Sequence, residues 1–231
     1  LNLTPVLDKL DAFYIAQRLI LSAGLLSQNQ IAQVDTSRTV VIYELMAQQE
    51  KYAAFIQSSP LIRAYYELLP LLTHDADLQY VADYRDRVQN MSEFLPKMHL
   101  KSLYTAIRNY LAIEYNQGKT EMLPLLFSNL KAEYEQGFLC ESNGFFRAST
   151  FQSVVTTGLK LQHFEWTRAF MEYCRDRIIG TSQPETVLVF NEANYYFHIS
   201  EYEAAFKTGF HQLKYDNYVY ILAARRLEVM I

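Results

Sequence analysis

The stretch Val187-Leu188-Val189-Phe190-Asn191-Glu192-Ala193-Asn194-Tyr195-Tyr196-Phe197-His198-Ile199-Ser200-Glu201-Tyr202-Glu203-Ala204-Ala205-Phe206-Lys207-Thr208-Gly209-Phe210 decides the fold. Its spacing predicts a helix to Ile199, a very short turn at Ser200, and a second helix from Glu201 to Phe210. Two helices joined so closely must run antiparallel. Val189, Ala193 and Tyr196 form a stripe suited to packing against the second helix. Val187, Asn191, Asn194 and His198, spaced four, three and four apart, share another face. The unit is an αα-hairpin with one packing stripe and one polar stripe.

The hairpin has an echo. Val155, Phe164 and Thr167 recur as Ala193, Tyr202 and Ala205, each 38 residues later. Small residues where helices cross let backbones approach, and aromatics wedge between successive pairs. Capping boxes are expected to open both units, Ser149-Thr150-Phe151-Gln152 and Ser182-Gln183-Pro184-Glu185. The partner of the earlier copy should run from His163 to Ile178. The β-branched runs Val154–Thr157 and Val187–Val189 keep helical spacing on both sides and stay helical in this reading.

Upstream, prolines and caps mark the helix starts. Thr4-Pro5 opens a helix to about Leu26 with Val6, Leu10, Phe13 and Leu21 as its apolar stripe. A second helix runs from Thr36 to Ile56, with Val41, Leu45, Tyr52 and Phe55 as core candidates. Ser59-Pro60 opens a third, and Asp75 or Asp77 caps a fourth. Pro96 starts a long helix whose buried face is Leu100, Leu103, Ile107 and Leu111. After Gln117-Gly118 a further helix runs from Thr120 to Gln136. Residues 137–148 read as a long inter-helix loop, with a hairpin signal at Asn143-Gly144 as the alternative.

The repeat resembles the tetratricopeptide repeat, a 34-residue helix–turn–helix unit. Ala193 and Ala205 fall at that family's small positions and Tyr196 at its Tyr position. Ser200-Glu201-Tyr202-Glu203-Ala204-Ala205 resembles its turn and second-helix start. Val189, Glu192, Gly209 and Asn217 depart from its Trp, Leu, Phe and Pro. The resemblance covers about 80 residues, with a degenerate third copy around Tyr110 and Gln117-Gly118. It implies an all-α, right-handed superhelix of stacked antiparallel hairpins, extending over 1–231 as a single domain. It also implies a non-enzymatic scaffold that binds a protein or peptide in a concave groove. On that implication Asn191, Asn194 and His198 would line the groove, with Arg108 and Asn109 placed similarly in the third copy. The family's carboxylate-clamp lysines are missing around Asn194, so a C-terminal carboxylate ligand is not implied.

Composition supports the helical class. Glycine (7) and proline (6) are too few for the turns of an all-β fold of 231 residues. The formal net charge of −4 argues against a nucleic-acid binder, which needs a basic face. No run approaches 18 apolar residues, so no membrane insertion is expected. Cys140 and Cys174 read as reduced thiols, which points to a cytoplasmic setting. The chain opens on Leu1 and ends within a helical pattern, as a fragment of a longer protein would.

Chemistry-bearing motifs are sparse. His74-Asp75 has the form of a metal-binding pair, but a lone pair before a helix reads as a cap at Asp75. Neither cysteine has CxxC spacing, and phosphate loops and nucleophile elbows are missing. No catalytic residue, metal or cofactor is expected. The competing reading is a ligand- or metal-binding helical enzyme, its site assembled from distant residues such as His74, His99 and His163.

Overall fold

The computed structural model describes residues 3–29, 35–39, 49–215 and 218–231. Among these residues the protein is all-α. Its helices are α1 (Thr4–Asn29), α2 (Gln49–Ser58), α3 (Pro60–Leu72), α4 (Leu78–Asn90), α5 (Lys97–Asn116), α6 (Leu123–Glu135), α7 (Ala148–Lys160), α8 (Phe164–Cys174), α9 (Pro184–His198), α10 (Tyr202–Lys207) and α11 (Tyr218–Met230). Two strands of two residues each, β1 (Phe146–Arg147) and β2 (Ile178–Ile179), pair in parallel. The chain divides into two compact units, Leu1–Leu125 and Leu126–Ile231.

In the first unit α3 is the centre, touched by α1, α2, α4 and α5. Ser59 is its N-cap and Pro60 its first residue, where the missing N–H costs nothing. Ile62, Leu68, Leu69 and Leu72 are buried. On α5 the expected face of Leu100, Leu103, Ile107 and Leu111 is buried throughout. Asp77, and not Asp75, caps α4 by accepting the Tyr80 N–H at 2.8 Å. Asp75 instead accepts from the Thr73 hydroxyl.

Two buried phenols anchor this core to the backbone. Tyr84 donates to the Ala64 carbonyl at 2.7 Å, and Tyr110 to that of Ala76 at 2.5 Å. Burial first, then the carboxylates of Glu114, Asp77 and Asp75, pushes the Tyr110 phenol up to about 12. Burial and Glu67 do the same to Tyr80, against the opposing pull of Arg87. The fold therefore favours the neutral phenol. That stability is complete below the ordinary tyrosine value of 10.0 and is lost as pH rises from there through about 12. Denaturant midpoints measured from pH 8 to 12 should fall along this limb, and Tyr110→Phe should make the fall shallower.

The expected apolar stripe of α1 faces solvent. Val6, Leu10, Phe13 and Leu21 are all exposed, and the buried residues are Ile15, Ala16, Leu19, Ser22, Ala23 and Leu26. Every buried position lies in the C-terminal part of the helix, where α3 and the short turn Ser37–Thr39 supply contacts. Periodicity showed an apolar face but not which part of it meets a neighbour. Val41 and Leu45 lie outside the described residues. On α2, Ile56 is buried and Phe55 half-buried.

In the second unit α7 and α8 form one hairpin and α9 and α10 the next. The 38-residue echo is realised in the turns. Gln162 and Ser200 both take left-handed conformations, with φ of 60° and 64°. His163 N–H closes onto Gly158 O at 2.9 Å, and Glu201 N–H closes onto Tyr196 O at 2.9 Å. These are the same i to i−5 closure of a helix C-terminus. The small residues meet as expected, since Val155, Thr167, Ala193 and Ala205 are all fully buried. A side chain at left-handed φ is strained, so Ser200→Gly should stabilise the fold by about 0.5–1 kcal/mol, read as a rise in thermal midpoint.

Several expected boundaries differ. α7 starts directly from β1, with Arg147 as an extended N-cap, so Ser149 lies inside the helix and its box does not form. The N-cap of α9 is Gln183, and neither helix has a side-chain cap. Instead Thr186 sends both its N–H and its hydroxyl to the Gln183 carbonyl. α8 stops at Cys174 rather than Ile178, because the chain then extends to pair with β1. α10 ends at Lys207, ahead of Gly209 at φ 76°. Asn143-Gly144 forms a tight turn, Gly144 N–H to Glu141 O at 2.9 Å. The chain folds back across this turn, Glu141 N–H to Phe145 O at 2.8 Å, without forming a two-stranded hairpin, and the residues that follow pair with Ile178–Ile179.

Candidate functional site

The residues expected to line a groove are placed by the packing of α9. That helix is touched by α7, α8, α10 and α11, so more than one of its faces is covered. Asn191 is wholly buried, and its Nδ2 donates to Val187 O one turn back at 2.8 Å. Val187, on the same stripe, is buried with it, as is Tyr195 beside it. Half of the stripe that looked like a groove is therefore core. Asn194 and His198 are half-buried, and the His198 ring meets the Asn194 carbonyl through Nδ1 at 2.8 Å. On the opposite stripe Ala193 is buried, while Val189 and Tyr196 are only half so. Arg108 and Asn109, half-buried on α5, belong to the first unit.

The histidines weighed for an enzyme site have local roles. His99 Nδ1 meets the Tyr65 hydroxyl at 3.0 Å, and the His163 ring stacks on Phe127 at 4.5 Å. His74 follows α3 in a left-handed conformation, its Nδ1 3.0 Å from Glu114 Oε1. Lys119 binds the other oxygen of that carboxylate. Among the described residues no group of three or more His, Cys, Asp or Glu could hold a metal ion. Burial also pushes the Cys174 thiol up to about 12, despite Arg177 nearby, so it is a poor nucleophile.

Glu114 is almost fully buried, which opposes its charge, yet hydrogen bonds from Lys119 and His74 outweigh burial and hold its carboxyl below the ordinary value. A lowered carboxyl stabilises the fold above its ordinary value of about 4.5, and that contribution is lost as pH falls through the lowered one. Glu114→Gln should therefore weaken the first unit at neutral pH and flatten its acid limb, as read by urea midpoints from pH 7 down to pH 3.

Among the described residues, a run of exposed large apolar side chains lies along the first part of α1 and just before it. Leu3, Val6, Leu7, Leu10, Phe13, Tyr14 and Leu21 are each 53–64% exposed. Steps of four, three and four through Leu3, Leu7, Leu10 and Tyr14 place them on one helical face, with Val6 and Phe13 beside them. Asp8, Lys9 and Asp11 stand among these positions, and Arg18 lies over the Tyr14 ring at 6.0 Å. Sequence periodicity identified Val6, Leu10, Phe13 and Leu21 of this stripe. Among the described residues no helix is long and apolar enough to cross a membrane.

Comparison with protein-family models, curated proteins and solved structures gives no match to this chain.

Proposed function

We propose that this protein is a non-enzymatic interaction module that binds an amphipathic helix of a partner protein along the exposed face of α1. The observation that carries the reading is that face: six large apolar side chains within one helix and Leu3 just before it, each more than half exposed. They present on the order of several hundred Å² of apolar surface, the scale at which exposed patches mark contact sites. Apolar residues at steps of three and four are also what a helix lying alongside another helix requires. The tetratricopeptide-like reading, with its right-handed superhelix and scaffold role, belongs to the same proposal and rests on the recurrence of the hairpin turn after 38 residues.

The test compares the wild-type chain with Leu7→Glu/Leu10→Glu/Phe13→Glu as bait for interacting proteins. All three positions are exposed, so helicity and thermal midpoint should hold while capture of a specific partner falls at least about tenfold. Equal capture by both baits would overturn the assignment of the face.

A further inference from the structure

Leu3, Leu7, Leu10, Tyr14, Gln17, Leu21, Gly24 and Gln28 follow one another in alternating steps of four and three. This is an unbroken heptad seam that begins just before α1 and reaches its last turn. Every one of these positions is exposed, and Leu3 joins the helix by accepting the Leu7 N–H at 3.1 Å. The buried residues Ile15, Ala16, Leu19, Ser22, Ala23 and Leu26 lie on the opposite side of the helix, where α3 packs. α1 therefore has a covered core face and an open outer face. A strict 3.5-residue period on the outer face is the pattern by which helices coil around one another.

The residues of the seam and its flanks select the helix that fits. Gln17 is the one amide on the seam between Leu3 and Leu21, and a partner must meet it with a polar group at that layer. A second copy of α1, laid parallel and in register, sets Gln17 against Gln17, where each amide can donate to the other and accept from it. The same register sets each seam leucine against its own counterpart and Tyr14 against Tyr14. On the flanks it brings Val6 beside Asp11 and Phe13 beside Arg18, so no like charges meet. An antiparallel copy centred on the exposed run fits worse, with Asp11 beside Asp11 and Gln17 against Leu7. Shifted by one heptad, that arrangement sets Leu3 and Leu7 against Gln28 and Gly24 and loses their burial. Each chain offers on the order of several hundred Å² of apolar surface, so a pair of chains buries about 1,000 Å², the size a specific interface needs.

We infer that α1 pairs with α1 of a second copy of this chain as a parallel, in-register, two-stranded coiled coil. The inference rests on the reading of the α1 face as a helix-binding surface and names its occupant. The seam is self-complementary, as a two-fold interface between identical chains requires.

Sedimentation equilibrium of the full chain from about 1 to about 100 μM tests the pairing. The mass should rise with concentration from that of one chain to that of two, and Leu7→Glu/Leu10→Glu/Phe13→Glu should keep the mass of one. Gln17→Glu and Gln17→Lys should each weaken dimerisation at least about tenfold, and an equimolar mixture of the two should restore it. Only parallel, in-register pairing puts position 17 opposite itself. Position 17 is exposed, so helicity should hold in both variants. A wild-type mass of one chain at every concentration would overturn the inference, while a loss of partner capture by the triple variant would still uphold the face. A dimer that the triple variant leaves intact would overturn the inference too, as would a mixture no tighter than either Gln17 variant alone.

Discussion

Replacing Phe170 by alanine is expected to remove about 3–5 kcal/mol from the stability of the second unit. Phe170 is 2% exposed and joins four other rings. Trp166 lies parallel to it at 5.5 Å and Phe151 stacks at 5.9 Å. Tyr134 and Phe146 meet it edge-on at 5.3 and 5.7 Å. The residue thus ties α8 to α6, to α7 and to β1. Truncation loses the transfer energy of the ring, leaves a void that four fixed rings cannot fill, and removes their mutual orientation. Trp166 is the chain's single tryptophan, so its emission reports unfolding of this unit directly. A lowered denaturant midpoint with an unchanged slope is the expected result. A loss under about 1 kcal/mol would mean that the cluster does not hold the unit together.

The second large effect is expected from Gly158→Ala. A Cβ at Gly158 would fall 2.2 Å from Thr167 Oγ1 and 3.1 Å from Phe127 Cε2. Neither neighbour yields easily: Thr167 is wholly buried with its hydroxyl bonded to His163 O at 2.8 Å, and Phe127 is buried beneath His163. Alanine is the better helix former by about 1 kcal/mol, so propensity alone predicts a gain. Overpacking of about 1–3 kcal/mol should reverse that sign. Thr167→Ala removes the colliding oxygen, and the double variant should recover most of the loss in a double-mutant cycle. Additive losses would place the α7–α8 crossing elsewhere.

This crossing also shows what could be read before the structure. The echo of Val155 and Thr167 in Ala193 and Ala205 located the tight seams, because close packing demands small residues at a fixed spacing. The face of α5 was equally legible, since Leu100, Leu103, Ile107 and Leu111 have neighbours along the whole helix. On α1 the same periodicity marked an apolar face, of which only the part from Ile15 onward is covered. Asn191 was placed on a groove and lies in the core. A polar side chain that satisfies its donor on its own helix can lie in the core, and sequence spacing does not report that bond. The parallel pairing of Phe146–Arg147 with Ile178–Ile179 left no trace, as two residues are too few to alternate.

The central claim is that a partner helix lies on α1, and site-specific photocrosslinking tests it most directly. A photoreactive phenylalanine analogue at Leu10 or Phe13 should trap one discrete partner, while the same probe at Asn194 or His198 traps none. Crosslinks from Asn194 and His198 with none from Leu10 or Phe13 would contradict the account and return the contact surface to α9.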